Sequence, residues 1–227
     1  VAKHNGPIHD IKESSYTLEY NLNHDLDLFR YPSLEAQISS IADDIAYNNH
    51  DIEDGLRAEL FSIEDVMQLP LVGEIYSEIL RKYPDIRREL LVGEAKKRMT
   101  LVMVLDVIEQ AKNNIEKYKI NTIEDIRNLT HSLINFSPKI EKAHQEIKKF
   151  LMQNMYRHSV VNRMTTTARN IIGSLFDFYF INPHCLPNDY QILVKNATRK
   201  DLAIIVCDYI AGMTDRYATK EYEELKL

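Results

Sequence analysis

The stretch from Pro32 to Ala58 reads PSLEAQISSIADDIAYNNHDIEDGLRA, and its spacing decides the fold. Leu34, Ile38, Ile41, Ile45, Ile52 and Leu56 return at three-, four- and seven-residue steps, which sets them along one side of a helix. Ser33 opens the segment and no proline interrupts it, so a helix packing by this stripe is expected over 33–59. At about 100° per residue Asp43 falls opposite the isoleucines, and Tyr47 and Asp51 follow it at four-residue steps on a ridge about 12 Å long. Ser39 and Ser40 lie close by, and their small side chains leave room for a ligand. A polar face opposite an apolar one is also what any amphipathic surface helix presents, and periodicity alone favours that plainer reading. Asn48, Asn49, His50 and Asp51 are consecutive poor helix formers, each costing about 0.5 kcal/mol or more relative to Ala. Such a run marks a helix end, which Gly55 would support, or a site.

Outward from this helix the chain reads as helices throughout. Residues 1–32 show no sustained period, end at Pro32 and are expected to be loop-rich. SIED at Ser62–Asp65 has the form of a capping box, and a helix over Val72–Lys82 stops before Pro84. From Ile86 to about Tyr118 the sequence is proline-free, with Leu101, Val104, Leu105 and Ile108 at helical spacing, and would run roughly 45 Å. Thr122 with Asp125 marks another helix start, Pro138–Tyr156 a charged amphipathic helix and Val160–Phe180 a more buried one. Residues 181–188 form a turn. Thr198 with Asp201 caps a last helix whose stripe is Leu202, Ile205, Val206, Tyr209, Ile210, Met213 and Tyr217. The expectation is one all-α domain over 1–227, with 33–59 as its central helix and 60–227 as the helical remainder.

Composition supports this. In 227 residues there are only 6 Gly and 7 Pro, too few for the tight turns of an all-β protein, while 44% hydrophobic content is ample for a core. The net charge of −6 gives no reason to expect a general nucleic-acid surface, so any phosphate site must be a local basic cluster. No apolar run approaches the roughly 20 residues that cross a bilayer, and Cys185 and Cys207 form no CxxC pair. With no signal-like N-terminus, a reducing cytoplasm and no membrane partner are expected. His4, His9 and His24 have irregular loop spacing and read as solvated histidines rather than metal ligands. Arg157, His158 and Arg163 could grip phosphate oxygens or pair with neighbouring carboxylates, and spacing does not choose between these.

The string ADDIAYNNHDIEDGLR, Ala42–Arg57, closely resembles the last motif of bacterial HD-domain deoxynucleoside triphosphate triphosphohydrolases, whose metal ligands run in the order H…HD…D. KHNGP at Lys3–Pro7, NMYRHSVVNRM at Asn154–Met164 and VCDYIAGMTDRYA at Val206–Ala218 resemble further segments of that family, so the likeness spans residues 3–218. The resemblance implies an HD-type helical bundle and a divalent metal, Mn²⁺ or Mg²⁺. It implies cleavage of a dNTP to deoxynucleoside and inorganic triphosphate, and often a homo-oligomer. By the family pattern Asp43 would be the metal ligand, Tyr47 would line the triphosphate and sugar pocket, and Asp51 would contact the deoxyribose 3′-hydroxyl. Arg157, His158 and Arg163 would contact the substrate. Asp44 points about 100° away from Asp43 and is expected at the surface or behind it.

The family's earlier ligands do not appear. The dipeptides His9-Asp10, His24-Asp25 and His50-Asp51 all lack the Gly-His-rich turn that follows the family's HD pair, so the first His and the HD pair would lie upstream of Val1, and no catalytic group is assigned within the chain. Two readings remain open. In one, this is the C-terminal part of a dNTP triphosphohydrolase completed by an H…HD segment, which a separate N-terminal fragment could carry. In the other, it is a truncated, non-catalytic homologue serving as an all-α nucleotide-binding or oligomer subunit.

Overall fold

In the computed structural model the described residues are 3–9 and 16–226, and for Tyr16 the backbone alone. The all-α expectation holds: among the described residues there is no strand. Contacts divide the chain into two compact units, Val1–Tyr156 and Arg157–Leu227, a subdivision that the reading of one continuous domain did not draw.

The first unit runs α1 (Tyr16–Asn23), α2 (Leu34–Arg57), α3 (Ile63–Val66), α4 (Val72–Lys82), α5 (Arg88–Lys117), α6 (Ile123–Arg127) and α7 (Pro138–Leu151), followed by a π-helical turn at Met152–Tyr156. Ser62 and Thr122 form the reciprocal capping boxes their spacing foretold, with Asp65 and Asp125 as partners. Helix α1 lies within the stretch 1–32 expected to be loop-rich; its eight residues, YTLEYNLN, carry no apolar stripe that would betray it. The chain after α1 is tied down by Lys3, whose Nζ donates to the carbonyls of Asp27 (2.5 Å) and Arg30 (3.1 Å). Arg30 in turn reaches Glu124 on α6 at 2.6 Å.

Helix α5 packs on both α2 and α4, and α7 lies along α2. The core joins Ile45, Ile52 and Leu56 of α2 to Ile75 and Ile79 of α4, Met99 and Met103 of α5, and Ile147 of α7. Two expected stripes are corrected. On α2, Ile38 is 49% exposed, while the remaining members are buried or packed against the core. On α5, the face expected to pack, Leu101, Val104, Leu105 and Ile108, is exposed, and Leu91, Ala95, Met99, Met103 and Val107 are buried instead. The helix has two apolar faces, and periodicity does not say which turns inward. Small Ala95 and unbranched Met99 and Met103 fit the closely packed side because they fill irregular gaps.

The second unit contains α8 (Ser159–Ile181), a short 3₁₀ turn at Pro183–Cys185, α9 (Asn188–Val194), α10 (Arg199–Ala211) and α11 (Asp215–Glu224). Its core gathers Leu175 and Tyr179 of α8, Leu186, and Val206, Tyr209 and Ile210 of α10. The single last helix expected from Thr198 onward is two helices. Gly212 closes α10, and the Thr214 hydroxyl accepts from the Tyr217 amide at 3.3 Å to start α11. The periodic stripe continued across the break because Met213 and Tyr217 return to the same core region.

Candidate functional site

The ridge expected on α2 is present. Asp43 is exposed, Tyr47 is 61% exposed and Asp51 is half-buried, each one turn from the next. The helix bearing them is held firmly at its start by Gln37, which is buried. Its Oε1 accepts from the Leu133 amide (2.8 Å), and its Nε2 donates to the Pro32 carbonyl (3.0 Å). The helix-end reading of Asn48–Asp51 is corrected: α2 continues for another turn and a half to Arg57. Asn48 and Asn49 are buried, and Asn49 Nδ2 donates to Thr100 Oγ1 at 3.1 Å, linking α2 to α5. Gly55 serves packing rather than termination, since a Cβ there would come within 2.2 Å of the Phe61 ring.

The structure adds Tyr156 to this face. Its hydroxyl donates to Asp51 Oδ2. The π-helical turn after α7 delivers it there, the extra residue per turn advancing Tyr156 onto α2. Burial first, and then the bond to the Asp51 carboxylate with the neighbouring Tyr47, hold the Tyr156 phenol above the ordinary tyrosine range. It is therefore a standing O–H donor at neutral pH. Tyr156 lies inside the quoted segment Asn154–Met164, but nothing in sequence spacing ties position 156 to position 51; only the packing of α7 along α2 does so.

Asp43 and Asp44 are separated by their surroundings. Asp44 Oδ1 accepts from Lys148 Nζ of α7 at 2.9 Å, whereas Asp43 enters no ion pair among the described residues. This leaves Asp43 as the carboxylate presented to solvent on the Tyr47 and Asp51 face. One carboxylate does not make a metal site. Among the described residues no group of three or more His, Cys, Asp or Glu side chains could hold a metal ion, so a divalent cation does not fit these residues by themselves. Of the loop histidines, His9 stacks on Phe29 and His24 on Tyr20.

Arg157, His158 and Arg163 belong to the second unit. His158 is the N-cap of α8, where its Nδ1 accepts from the Val160 amide at 3.4 Å, and the Arg157 carbonyl accepts from Asn162 Nδ2 at 3.1 Å. Neither Arg157 nor Arg163 pairs with a carboxylate among the described residues, so the structural ion pairs weighed for them are not formed there, and both guanidinium groups are exposed.

The last part of this helical chain falls into a recognisable class: residues 134–224 match the Phosphohydrolase-associated domain. Nearly the whole chain is related to bacterial proteins named deoxyguanosinetriphosphate triphosphohydrolase-like protein. Identity is 39% to that of Neorickettsia sennetsu, 38% to that of Caulobacter vibrioides and 35% to that of Rickettsia felis, in each case over 99% of this chain and 58% of the relative. The resemblance drawn from the motifs is thereby shown, and the chain spans 58% of the length of these curated relatives. No helix of the described residues is long and apolar enough to cross a membrane.

Proposed function

We propose that this chain forms part of a hydrolase that converts deoxynucleoside triphosphates to deoxynucleoside and inorganic triphosphate. The observation that carries the reading is the α2 face on which Asp43, Tyr47 and Asp51 stand in phase, with Asp51 gripped by a tyrosine hydroxyl. Asp51 is thus already oriented as a hydroxyl acceptor; Oδ2 receives the Tyr156 O–H, and Oδ1 is directed to the sugar 3′-hydroxyl. The exposed Tyr47 ring beside it supplies a flat surface for the sugar and triphosphate. By the family pattern Arg157, His158 and Arg163, all in the second unit, are proposed to contact phosphate oxygens, the arginines through paired N–H donors.

Asp43 contributes one carboxylate toward a divalent cation, Mn²⁺ or Mg²⁺, whose remaining donors come from an H…HD segment beyond the described residues. Such a cation would neutralise phosphate charge during transfer. We place the working enzyme in the cytoplasm.

Metal analysis of the purified chain, paired with chromatographic detection of triphosphate released from dGTP or dATP, tests the reading. The chain alone should retain no Mn²⁺ and release no triphosphate. Addition of an H…HD-bearing fragment should produce turnover, and Asp43→Ala should abolish it. Turnover by the chain alone that is lost in Asp43→Ala would overturn the assignment of the other donors to a separate segment. No turnover with both pieces folded favours the second reading, a non-catalytic nucleotide-binding or oligomer subunit, which the solitary position of Asp43 supports.

A further inference from the structure

Near the N-terminal end of α2, three stretches far apart in sequence line a small polar cavity within the first unit. Its volume is about 220 Å³, below the roughly 300–1,000 Å³ of sites that enclose drug-sized ligands, so it admits one flat ring system and little more. One wall is the turn Lys3–Gly6, closed by the Gly6 amide donating to the Lys3 carbonyl at 2.9 Å, with Gly6 at a φ of 113° that glycine adopts without strain. The second wall is α2, where Ser40 Oγ donates to Asn5 Oδ1 at 2.9 Å and Asp44 stands one turn further on. The third is Ser132 with Ile134, fixed by the buried Gln37, whose Oε1 accepts from Ser132 Oγ at 2.9 Å and from the Leu133 amide. Walls tied in this way keep their positions without a ligand, which lowers the ordering cost of binding one.

The hydrogen-bonding groups left over define that ligand. Asn5 Oδ1 is taken by Ser40, and the Asn5 amide N–H groups have no acceptor among the described residues. Asp44 Oδ1 is taken by Lys148, and Oδ2 has no donor among the described residues. Tyr31, Ile41 and Ile134 add apolar surface between these polar groups. No lysine or arginine lines the cavity, so a neutral molecule suits it better than a phosphate. Ser40, which holds Asn5, and Asp44 are four residues apart, about 6 Å along the helix, so an amide donor and a carboxylate acceptor can reach one edge of a planar ring. Guanine has the matching edge, a carbonyl oxygen followed by a ring N–H and an exocyclic amine. Adenine places an amine where guanine has its carbonyl.

We propose that this cavity is a guanine-binding site. Asn5 Nδ2 donates to the base carbonyl, Asp44 Oδ2 accepts from the ring N–H and the exocyclic amine through its two lone pairs, and Tyr31 packs on the ring. The site stands apart from the catalytic reading, because its ligand is a neutral base and none of Asp43, Tyr47, Asp51, Arg157, His158 and Arg163 lines the cavity.

Equilibrium dialysis of guanosine, inosine and adenosine against the full chain tests it, with circular dichroism to confirm that each variant keeps its helix content. Guanosine should bind saturably, and inosine, which lacks the exocyclic amine, roughly 10-fold more weakly, with adenosine weaker still. In Asp44→Asn, Lys148 retains the amide oxygen and turns the NH₂ toward the base, so the guanosine Kd should rise roughly 10-fold and its advantage over inosine should vanish. Asn5→Ala should weaken guanosine and inosine alike, since both carry the carbonyl. Guanosine 5′-monophosphate should bind no more tightly than guanosine. Absence of saturable guanosine binding overturns the proposal, as does equal binding of adenosine or an Asp44→Asn chain that still prefers guanosine to inosine. Tighter binding of the monophosphate would overturn the reading of the cavity as a neutral-base site. Guanosine binding lost in Tyr47→Ala but kept in Asp44→Asn would overturn it by assigning the base to the α2 ridge.

Discussion

Helices α2 and α5 lie against each other, and each buries one side in the same core, yet their outer sides differ in kind. The outer side of α2 carries Asp43, Tyr47 and Asp51, polar groups spaced one turn apart, with a hydroxyl donor from a neighbouring helix seated on one of them. That of α5 carries Leu101, Leu105 and Ile108. Periodicity describes both helices equally well. What a helix does beyond holding the core is written on the face that the core does not use: a polar ridge suits a small polar ligand, and an aliphatic row does not.

Substitutions in α5 separate its two apolar faces most sharply. Met99→Ala or Met103→Ala should cost about 2–5 kcal/mol in urea denaturation, since each side chain is fully buried. Leu105→Ala should change stability by less than about 0.5 kcal/mol. Comparable losses on both faces would erase the distinction. Next in size is Gly55→Ala on α2. The added methyl must displace the Phe61 ring, itself packed edge-on against Phe150 at 4.9 Å, and should cost about 1–3 kcal/mol.

A smaller effect, visible in pH, comes from His144 on α7, behind the ridge. The imidazole is buried against the Phe136 ring, and neither ring nitrogen has a hydrogen-bond partner among the described residues. Burial, and then the nearby Lys148 charge, hold its pKa below the usual 6.5, while Asp44 and Glu141 pull weakly the other way. The unfolded chain therefore binds the proton more readily than the folded one. The neutral imidazole's contribution to stability is complete above about pH 6.5 and is lost as pH falls from there toward the lowered folded value. Thermal unfolding of His144→Leu should show a flatter pH dependence across that interval; an unchanged slope would mean that the imidazole titrates freely in the fold.

Tyr156→Phe removes the donor to Asp51 and should cost about 1 kcal/mol or less in folding, because the ring remains in place. On the proposed function its effect should appear instead in equilibrium binding of a deoxynucleotide to the chain complemented by an H…HD-bearing fragment, where Asp51 loses its orientation. Smallest of all, Lys148→Ala breaks an exposed pair with Asp44 and should change stability by no more than about 0.5 kcal/mol.

Local rules were legible wherever the chemistry was local. The capping boxes at Ser62, Thr122 and Thr198 rest on residues three apart, and each forms as its spacing implies. The phase of Asp43, Tyr47 and Asp51 follows from helix geometry alone. Pairings across elements were not legible: Lys148 with Asp44, Tyr156 with Asp51, and Asn49 with Thr100 each join positions far apart in sequence. The break at Gly212 was hidden because the apolar period runs on beyond it.

The sequence by itself determined that the chain is helical, which family motifs it carries, and which carboxylate of the Asp43 and Asp44 pair shares a face with Tyr47 and Asp51. These depend on backbone geometry repeated every turn. Only tertiary structure decided which apolar face of α5 enters the core, that Asn48 and Asn49 lie inside a continuing helix, and that Tyr156 reaches Asp51. The physical reason is that a helical period defines directions around one axis, whereas burial depends on which neighbouring helices fill the space on each side.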